Sequence, residues 1–447
     1  MNEPADASAP RAPTRREAFR YWLRLGCISF GGPAGQIAIM HRELVDERRW
    51  ISERRFLHAL NYCMVLPGPE AQQLATYIGW LLHRTWGGVV AGVLFVAPSL
   101  LLLIALSWLY VLYGDVPLVA AGFNGVKPVV VAIVAHAAWR IGKRALRHPL
   151  QWTIAAGAFI ALFAFGLPFP AIILAAAVIG AVGGRLVPAA FSGGSDDTKS
   201  YRAVTRAVID DDTPPPAHAY FSKGRLAIVV AACAGLGAIV YAIVVALVGA
   251  DNVLSMVAVF FTKAAFLTFG GAYAVLPYVN QAAVQTYGWL TAEQMIDGLA
   301  LGETTPGPLI MVVAFVGFVG AWTKAALGPD ALALAGIAGA SVATFFTFLP
   351  SFLFILAGGP LVESTRGKLR YTAPLAGVTA AVVGVIVNLA LFFGVHAFTE
   401  NGRIDVVAIL IATSAAVALF RYRKGVIPVI AAGAAAGILA ALVRNAL

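Results

Sequence analysis

Two stretches of the chain share one frame, and they read 30-FGGPAGQIAIMHRELVDERRWISERRFLHALNYCMVLPGP-69 and 269-FGGAYAVLPYVNQAAVQTYGWLTAEQMIDGLALGETTPGP-308. Each begins with FGG, has a tryptophan 20 residues later and ends in PGP, and an offset of 239 residues superimposes them. The segment His41–Arg55 of the first stretch carries five arginines, whereas its counterpart Asn280–Gln294 carries no lysine or arginine. The glycines, prolines and tryptophan are therefore common to both stretches, and the positive charge is not.

The composition is that of a membrane protein. Hydrophobic residues make up 60% of the 447 residues, charged residues make up 12%, and the mean hydropathy is +0.82. Apolar runs such as Gly87–Leu112 and Leu226–Val248 reach the length of about 20 residues that crosses a bilayer. The net charge of +10 comes mainly from short clusters between these runs, which argues against nucleic acid as a partner and indicates orientation in a membrane. We therefore predict an all-α polytopic protein of the lipid bilayer.

The order of apolar segments also repeats. After the first shared stretch, an offset of 252 residues places Pro98-Ser99 on Pro350-Ser351 and Gly125-Val126 on Gly377-Val378. Ordered matches of this kind indicate an internal repeat. The predicted organisation is a disordered cytoplasmic tail, an N-terminal repeat, a cytoplasmic linker, a connecting transmembrane helix and a C-terminal repeat, at residues 1–16, 17–190, 191–224, 225–250 and 251–447 respectively.

Basic loops alternate between the two repeats. Arg140–His148 carries four lysines and arginines against none in Phe392–Glu400, but Gly358–Ala373 carries three against none in Leu106–Ala121. Lysine and arginine collect in cytoplasmic loops, so the two repeats are predicted to lie upside down relative to each other. This inverted-topology repeat is the architecture of many secondary transporters.

The FGG and PGP motifs each interrupt an apolar segment. Proline lacks an N–H and its ring clashes with the preceding turn, so each break creates a new helix N-terminus inside the membrane. Unpaired N–H groups and the helix dipole favour an anion there, and re-entrant half-helices would bring the breaks together as a substrate site. Simple kinks, and full spans instead of re-entrant segments, are the alternatives. The predicted substrate-binding residues at the breaks are Phe30, Gly31, Gly32, Pro67, Gly68, Pro69, Phe269, Gly270, Gly271, Pro306, Gly307 and Pro308.

Polar side chains accompany these breaks. Arg24 and Lys263 align with each other, six residues before FGG in apolar surroundings, and we predict that they bind substrate, with snorkelling to the interface as the alternative. Glu70 and Glu303 are candidate proton-coupling carboxylates, and a hydrogen-bonded structural role is the equal alternative. The predicted substrate-binding set is completed by Asn61, Thr304 and Thr305.

The pairing of FGG with a later PGP in both halves resembles the chromate ion transporter family. The resemblance covers residues 17–447 and matches the long, two-domain form of that family. It implies a multi-pass protein of the bacterial inner membrane. The distribution of basic loops predicts that the amino terminus is cytoplasmic and the carboxy terminus periplasmic. The resemblance also implies transport of chromate, usually efflux that gives resistance and depends on the proton-motive force, with sulfate as a competitor.

The leading interpretation is thus a secondary active transporter of a tetrahedral oxyanion. A carrier of sulfate or another oxyanion, importers included, is the second interpretation. An intramembrane enzyme is a remote third, because the sequence has no HExxH or Walker motif and no Ser/His pair at a recognisable spacing. We predict no catalytic residue, metal site or cofactor. The oligomeric state stays open, with a homodimer as the assembly considered.

Overall fold

The computed structural model describes residues 10–30, 32–191, 206–211, 213–214, 216–364, 372–400 and 402–446. Gly31 of the first FGG, residues 1–9 of the predicted tail and residues 192–205 of the predicted linker lie outside the described residues, as do residues 365–371 of a basic loop. The described chain is helical apart from short connections and one small hairpin, in which β1 (Thr399–Glu400) pairs antiparallel with β2 (Arg403–Ile404).

The α-helices follow one another through the whole described chain. In chain order they are α1 (Arg15–Ile28), α2 (Gly32–His41), α3 (Glu53–Val65), α4 (Glu70–Tyr113), α5 (Pro117–Ala145), α6 (Pro149–Phe163), α7 (Phe169–Leu186), α8 (Pro188–Phe191), α9 (Lys223–Val248), α10 (Val253–Leu267), α11 (Ala272–Asn280), α12 (Ala292–Thr304), α13 (Val312–Thr323), α14 (Leu332–Ser364), α15 (Thr372–Phe398), α16 (Val406–Phe420) and α17 (Val426–Ala446). Seven of them, α4, α5, α7, α9, α14, α15 and α17, are long and apolar enough to cross a membrane. The chain is therefore an all-α polytopic membrane protein.

The helices around the FGG and PGP breaks are short. Each break is flanked on at least one side by a helix of 9 to 15 residues. A helix of 15 residues is about 22 Å long, whereas the hydrocarbon core is about 30 Å thick. The long helix α4 is interrupted as well, because His83 and Arg84 have non-helical backbone angles. The segments that carry the breaks are thus made of half-length helices.

Local sequence explains where these short helices begin and end. The Oγ1 of Thr14 accepts the N–H of Glu17 at 3.2 Å and the Glu17 carboxylate accepts the N–H of Thr14 at 2.7 Å, which is a capping box. Helix α1 therefore begins at Arg15, inside the stretch predicted as a tail. Thr291 and Gln294 form the same box at the start of α12. Helices α3 and α12 end just before PGP, because a residue that precedes proline is disfavoured in the α region.

Helices of both halves of the chain contribute to each of two bundles. In the first bundle α4 packs against α1 and α14, while α14 packs against α10 and α13. In the second bundle α5 packs against α16 and α17 of the other repeat, α15 packs against α6 and α7, and α5 and α15 contact each other. The connecting helix α9 lies outside both bundles against α14, and all of its residues are at least partly exposed.

One face of the protein collects the ends of several short helices. The chain just before α1 meets the interruption of α4, where Pro13 O and His83 Nε2 are 3.0 Å apart. The linker returns to the same place, where His218 Nε2 and Trp80 O are 2.8 Å apart. The loop between α2 and α3 pairs with the linker as well, because Ser52 N–H donates to Ile209 O at 2.9 Å. We call this the basic face, since the arginine-rich loop 42–55 lies on it.

A buried ion pair ties the C-terminal repeat to the basic face. Arg55 Nη1 lies 3.3 Å from Glu363 Oε2, with both side chains buried, and Glu363 is at the end of α14. The start of α1, the start of α3 and the end of the first half of α4 therefore lie on this same face.

The opposite face is formed by other ends of the same bundles. The segment Gln281–Thr286 that follows α11 meets the start of α7, where Phe169 N–H donates to Gln281 Oε1 at 3.2 Å. The start of α12 meets the end of α4, where Tyr110 OH donates to Asp297 Oδ2 at 2.9 Å. The loop that follows the second FGG therefore lies away from the basic face.

Candidate functional site

The FGG and PGP breaks of opposite repeats are hydrogen-bonded to each other. Gly68 of the first PGP donates its N–H to Thr268 O, just before the second FGG, at 2.7 Å. Gly307 of the second PGP donates its N–H to Ser29 O, just before the first FGG, at 2.8 Å. Both pairs of residues are related by the 239-residue offset. The four breaks thus meet in one place, which we call the crossing.

Glycine is required at the centre of each PGP. Gly68 and Gly307 have φ angles of +123° and +107°, which side chains rarely adopt. A Cβ on Gly68 would lie 2.6 Å from Ser351 Oγ, and a Cβ on Gly307 would lie 2.6 Å from Ser99 Cβ. Ser99 and Ser351 are themselves related by the 252-residue offset. Each PGP is therefore held between the FGG region and the Pro-Ser dipeptide of the other repeat.

Two glutamines of the N-terminal repeat reinforce the crossing. The buried Gln36 amide donates to Gly307 O and, at 3.2 Å, to Ser29 O. The buried Gln73 amide donates to Pro67 O at 2.7 Å. Carbonyl groups that the breaks would leave unpaired are satisfied in this way, as a buried backbone requires.

Helix N-termini at the crossing lack side-chain caps. Helix α4 follows Pro69 and helix α11 follows Gly271, and in neither case does the preceding side chain accept a helix N–H. The first turns of α4 are buried from Ala71 onward, just after the half-buried Glu70, and α11 is buried from its first residue, Ala272. The first N–H groups of a helix have no intrahelical acceptor, and together with the helix dipole they form an anion site. The N–H groups of Gly68 and Gly307 hold the crossing together, so the first turns of α4 and α11 offer the donors for an anion.

The two candidate proton-coupling carboxylates converge on the second FGG. Glu70 Oε1 would lie 3.7 Å from a Cβ on Gly271, and Glu303 accepts a hydrogen bond from the Tyr273 hydroxyl. Both glutamates are half-buried. The 239-residue counterparts of Glu70, Glu303 and Tyr273 are apolar, and they are Leu309, Met64 and Ala34. The glycines and prolines of the breaks are therefore repeated, whereas the polar side chains are not, and these polar side chains gather at the start of α11.

An arginine faces this same place. The Arg140 guanidinium carbon lies 6.0 Å from the centroid of the Tyr273 ring, which is cation–π distance. Arg144 lies one turn further along α5, and the side chains of both arginines are exposed. Arg140 therefore supplies positive charge beside the uncapped N-terminus of α11, and Arg144 adds a second charge on the same helix.

The other predicted binding residues lie at various distances from this centre. Arg24 and Lys263 have exposed side chains on α1 and α10, with no ion-pair partner among the described residues. Asn61 is exposed on α3, Thr304 Oγ1 donates to Leu301 O at 2.9 Å, and Thr305 Oγ1 donates to Gly302 O at 3.0 Å. Phe30 is 39% exposed beside the first FGG, and Phe269 is half-buried beside the second. The geometry thus brings Gly68, Gly307, Glu70, Glu303 and Gly271 together, and it leaves Arg24, Lys263 and Asn61 on the protein surface.

Sequence reasoning missed four residues of the crossing. The sequence indicated a role for Arg140 only in membrane orientation, and it indicated Ser99 and Ser351 only as matching positions of the repeat. It gave no prediction for Tyr273. The signal for the serines was present, since a Pro-Ser dipeptide recurs inside an apolar helix of each repeat. The signal for Arg140 and Tyr273 was weaker, because their proximity depends on how α5 packs beside α11.

A separate polar cavity of about 720 Å³ opens at the opposite face. Its charged lining residues are Asp115, Lys127, Glu293 and Asp297, so acidic groups outnumber basic ones. No group of three or more histidine, cysteine, aspartate or glutamate side chains suited to a metal occurs within the described ranges. This cavity therefore differs from the crossing, where Arg140 supplies positive charge.

Comparison with known proteins identifies the family of the chain. Residues 16–181 and 255–438 match the family described as chromate transporter. The chromate transport protein of Cupriavidus metallidurans is 30% identical over 97% of both chains, and that of Pseudomonas aeruginosa is 36% identical over 83% of this chain and 79% of its own. A probable chromate transport protein of Synechococcus elongatus is 29% identical over 85% of this chain and 84% of its own. No solved structure matches the chain. One matched region lies in each half of the chain, and the chain belongs to the chromate transporter family.

Proposed function

We propose that this protein is a secondary active transporter that exports chromate across the bacterial inner membrane and so confers chromate resistance. The observation that carries the proposal is the crossing, where α4 and α11 begin without side-chain caps and Arg140 lies 6.0 Å from the ring of Tyr273 in α11. Such a site suits a tetrahedral dianion, because backbone N–H groups and guanidinium groups both donate to anionic oxygen.

The membrane potential supplies a driving force in the outward direction. Each elementary charge contributes about 2.3 kcal/mol per 100 mV, so a dianion that leaves an inside-negative cell gains about 4.6 kcal/mol per 100 mV. A proton carried on Glu70 or Glu303 would change the charge moved per cycle and couple export to the pH gradient as well. The position of both carboxylates at the second FGG supports this role over two unrelated structural ones.

Alternating access follows from a difference between the repeats. Helix α11 has eight of its nine residues buried and packs against α15, whereas α2 buries only Gln36 and Met40. Helices α2 and α11 occupy aligned positions in the two repeats. Helix α11 is packed against the second bundle, whereas most residues of α2 are at least partly exposed. We infer that the crossing is accessible from the basic face in this conformation, and that exchanging the two arrangements opens the other side.

The orientation of the repeats is tested by labelling single cysteines. In a variant whose three native cysteines are replaced by alanine, we expect Asp46→Cys to react from the cytoplasm and Gln285→Cys from the periplasm, since both positions are exposed and related by the same offset. The measurement is reaction with a membrane-impermeant maleimide in intact cells and in inside-out vesicles. Labelling of both positions from one side would contradict the inverted topology.

Access to the crossing is tested in the same background. We expect Ala38→Cys on α2, an exposed position, to react from the cytoplasmic side, and its counterpart Pro277→Cys on α11, a buried position, to stay unreactive. Equal reactivity at both positions would contradict an opening toward the basic face.

Transport itself is tested with purified protein in liposomes. We expect uptake of labelled chromate under an imposed potential, competition by sulfate, and reduced rates for Arg24→Ala and Lys263→Ala if these side chains guide the anion. Normal rates in both variants would remove Arg24 and Lys263 from the site while leaving the transporter intact. Preference for sulfate would redirect the proposal to a sulfate carrier, and no oxyanion flux at all would overturn it.

A further inference from the structure

Several hydroxyl groups in the described helices donate to a carbonyl of their own helix. Ser29, Thr268, Ser341, Thr347 and Thr379 each donate to the carbonyl four residues earlier, at 2.6 to 2.8 Å. A hydroxyl in an apolar environment has to find such an acceptor, and the preceding turn of its own helix is the nearest one. A buried hydroxyl that leaves this acceptor unused therefore requires an explanation.

Ser99 and Ser351 lack this hydrogen bond at equivalent places. Their side chains are 0% and 1% exposed, and neither Oγ has a hydrogen-bond partner among the described residues. Each follows a proline inside a long helix, Pro98 in α4 and Pro350 in α14. An unpartnered hydroxyl thus occurs at the same aligned position in both repeats. A local packing defect would not be expected to occur at both positions.

Both hydroxyls are next to the crossing. Ser351 Oγ would lie 2.6 Å from a Cβ on Gly68, and Ser99 Oγ would lie 2.9 Å from a Cβ on Gly307. Because the two glycines have no side chains, each buried hydroxyl lies directly against the backbone of a PGP motif. Ser107 and Thr344 also lack a partner within the described chain, but their 252-residue counterparts are Gly359 and Gly92, so they form no such pair.

We propose that the hydroxyls of Ser99 and Ser351, one from each repeat, donate hydrogen bonds directly to the transported oxyanion. The inference rests on the proposed function and adds two ligands to its site. A tetrahedral dianion has four acceptor oxygens, so it accepts from donors on both sides, and hydrogen bonds to an ionised acceptor are stronger than those between neutral groups. Neutral donors also hold a dianion without leaving a net charge in the membrane when the site is empty.

A binding experiment on the full chain in detergent tests this inference. Chromate and sulfate are each titrated, by calorimetry, into the wild type, Ser99→Ala, Ser351→Ala and the double variant, with Ser107→Ala and Thr347→Ala as controls. We expect each alanine at the crossing to weaken binding about tenfold, which corresponds to the loss of one hydrogen bond to a charged group. Ser107→Ala is expected to bind like the wild type.

Thermal unfolding without ligand separates a ligand role from a structural one. An alanine that removes an orphaned donor leaves the melting temperature unchanged or raises it, whereas Thr347→Ala removes a satisfied hydrogen bond and lowers it. If Ser99→Ala or Ser351→Ala does not fold, the Ser→Cys variants keep the volume with a weaker donor, and sulfate is then the probe because chromate oxidises thiols.

The outcomes distinguish this inference from the proposed function. Wild-type binding and transport of an oxyanion, together with unchanged affinity in both crossing variants, would overturn the role of the serines alone. A crossing variant that loses thermal stability without ligand and keeps its affinity would show a structural role instead. If the wild type neither binds nor transports chromate or sulfate, the proposed function itself fails.

Discussion

Replacing Gly307 by alanine is expected to abolish transport and to lower the free energy of unfolding by about 2–5 kcal/mol. The φ angle of +107° costs any residue with a Cβ about 1–2 kcal/mol. The new methyl group would lie 2.6 Å from Ser99 Cβ, and forcing such a contact typically costs about 1–3 kcal/mol. Relief by moving residue 307 would break its N–H bond to Ser29 O. The checks are the thermal midpoint in detergent and the initial rate of chromate uptake in liposomes.

Gly68→Ala provides an independent copy of the same experiment. Its φ angle is +123°, and the added Cβ would meet Ser351 Oγ and Gln73 Nε2, both at 2.6 Å. Because the obstructing atoms are side-chain ends that can shift, we expect a smaller loss of stability than at Gly307. A matched control is Gly235→Ala in α9, where an added Cβ has no heavy atom within 4 Å. Alanine there should be neutral or stabilising, and a Gly307→Ala protein with wild-type stability and transport would contradict the crossing.

Sequence alone predicted the frame of the fold for a physical reason. Membrane spans are set by hydropathy and helix breaks by glycine and proline, and both properties are local. The predicted connecting helix at residues 225–250 overlaps α9, and the apolar run Gly87–Leu112 lies within the second half of α4. The repeat could be found because the offset keeps Trp50 on Trp289 and PGP on PGP.

The crossing itself could not be predicted, because it joins residues about 200 positions apart. The pattern of FGG and PGP does not indicate that the N–H of Gly68 donates to Thr268 O of the other repeat, rather than to a carbonyl of its own repeat. The exchange of partners arises only when α4 packs against α14 and the repeats close around each other. The position of Arg24 could not be predicted for the same reason. Its apolar neighbours in the sequence suggested a buried site, but the packing of α1 against other helices leaves its side chain exposed.

The polar residues of the site were harder to predict than the helix breaks, because these residues are not repeated in the two halves of the chain. Alignment favours residues that occur twice, such as Arg24 with Lys263, whereas Glu70, Glu303 and Tyr273 have apolar counterparts. A substrate with one binding mode needs a single set of ligands, so the groups that contact it are free to differ between repeats. Arg140 was harder still to predict as a site residue, because a basic residue next to a predicted cytoplasmic loop is expected from membrane orientation alone.

Neutralising the two arginines near the crossing is expected to have the second largest effect. In Arg140→Gln with Arg144→Gln, we expect the initial rate of chromate transport at low substrate concentration to fall about a hundredfold. Both side chains are exposed, and Arg140 lies 6.0 Å from the ring of Tyr273, which bonds to Glu303. Positive charge that lines a cleft raises the local concentration of an anion about 10- to 1,000-fold, and a dianion responds more strongly than a monovalent ion.

Ionic strength separates this electrostatic role from a structural one. Salt screens charges that attract an anion from solution, so the wild-type rate should fall as salt rises and the double variant should lose much of that dependence. Arg185→Gln, an exposed position on α7, removes one charge from the same predicted cytoplasmic side and should keep both rate and salt dependence. Arg140→Lys keeps the charge without the planar fork and should retain part of the rate. A double variant whose rate falls while its salt dependence stays that of the wild type would mean that the arginines support the packing of α5 and do not attract the substrate.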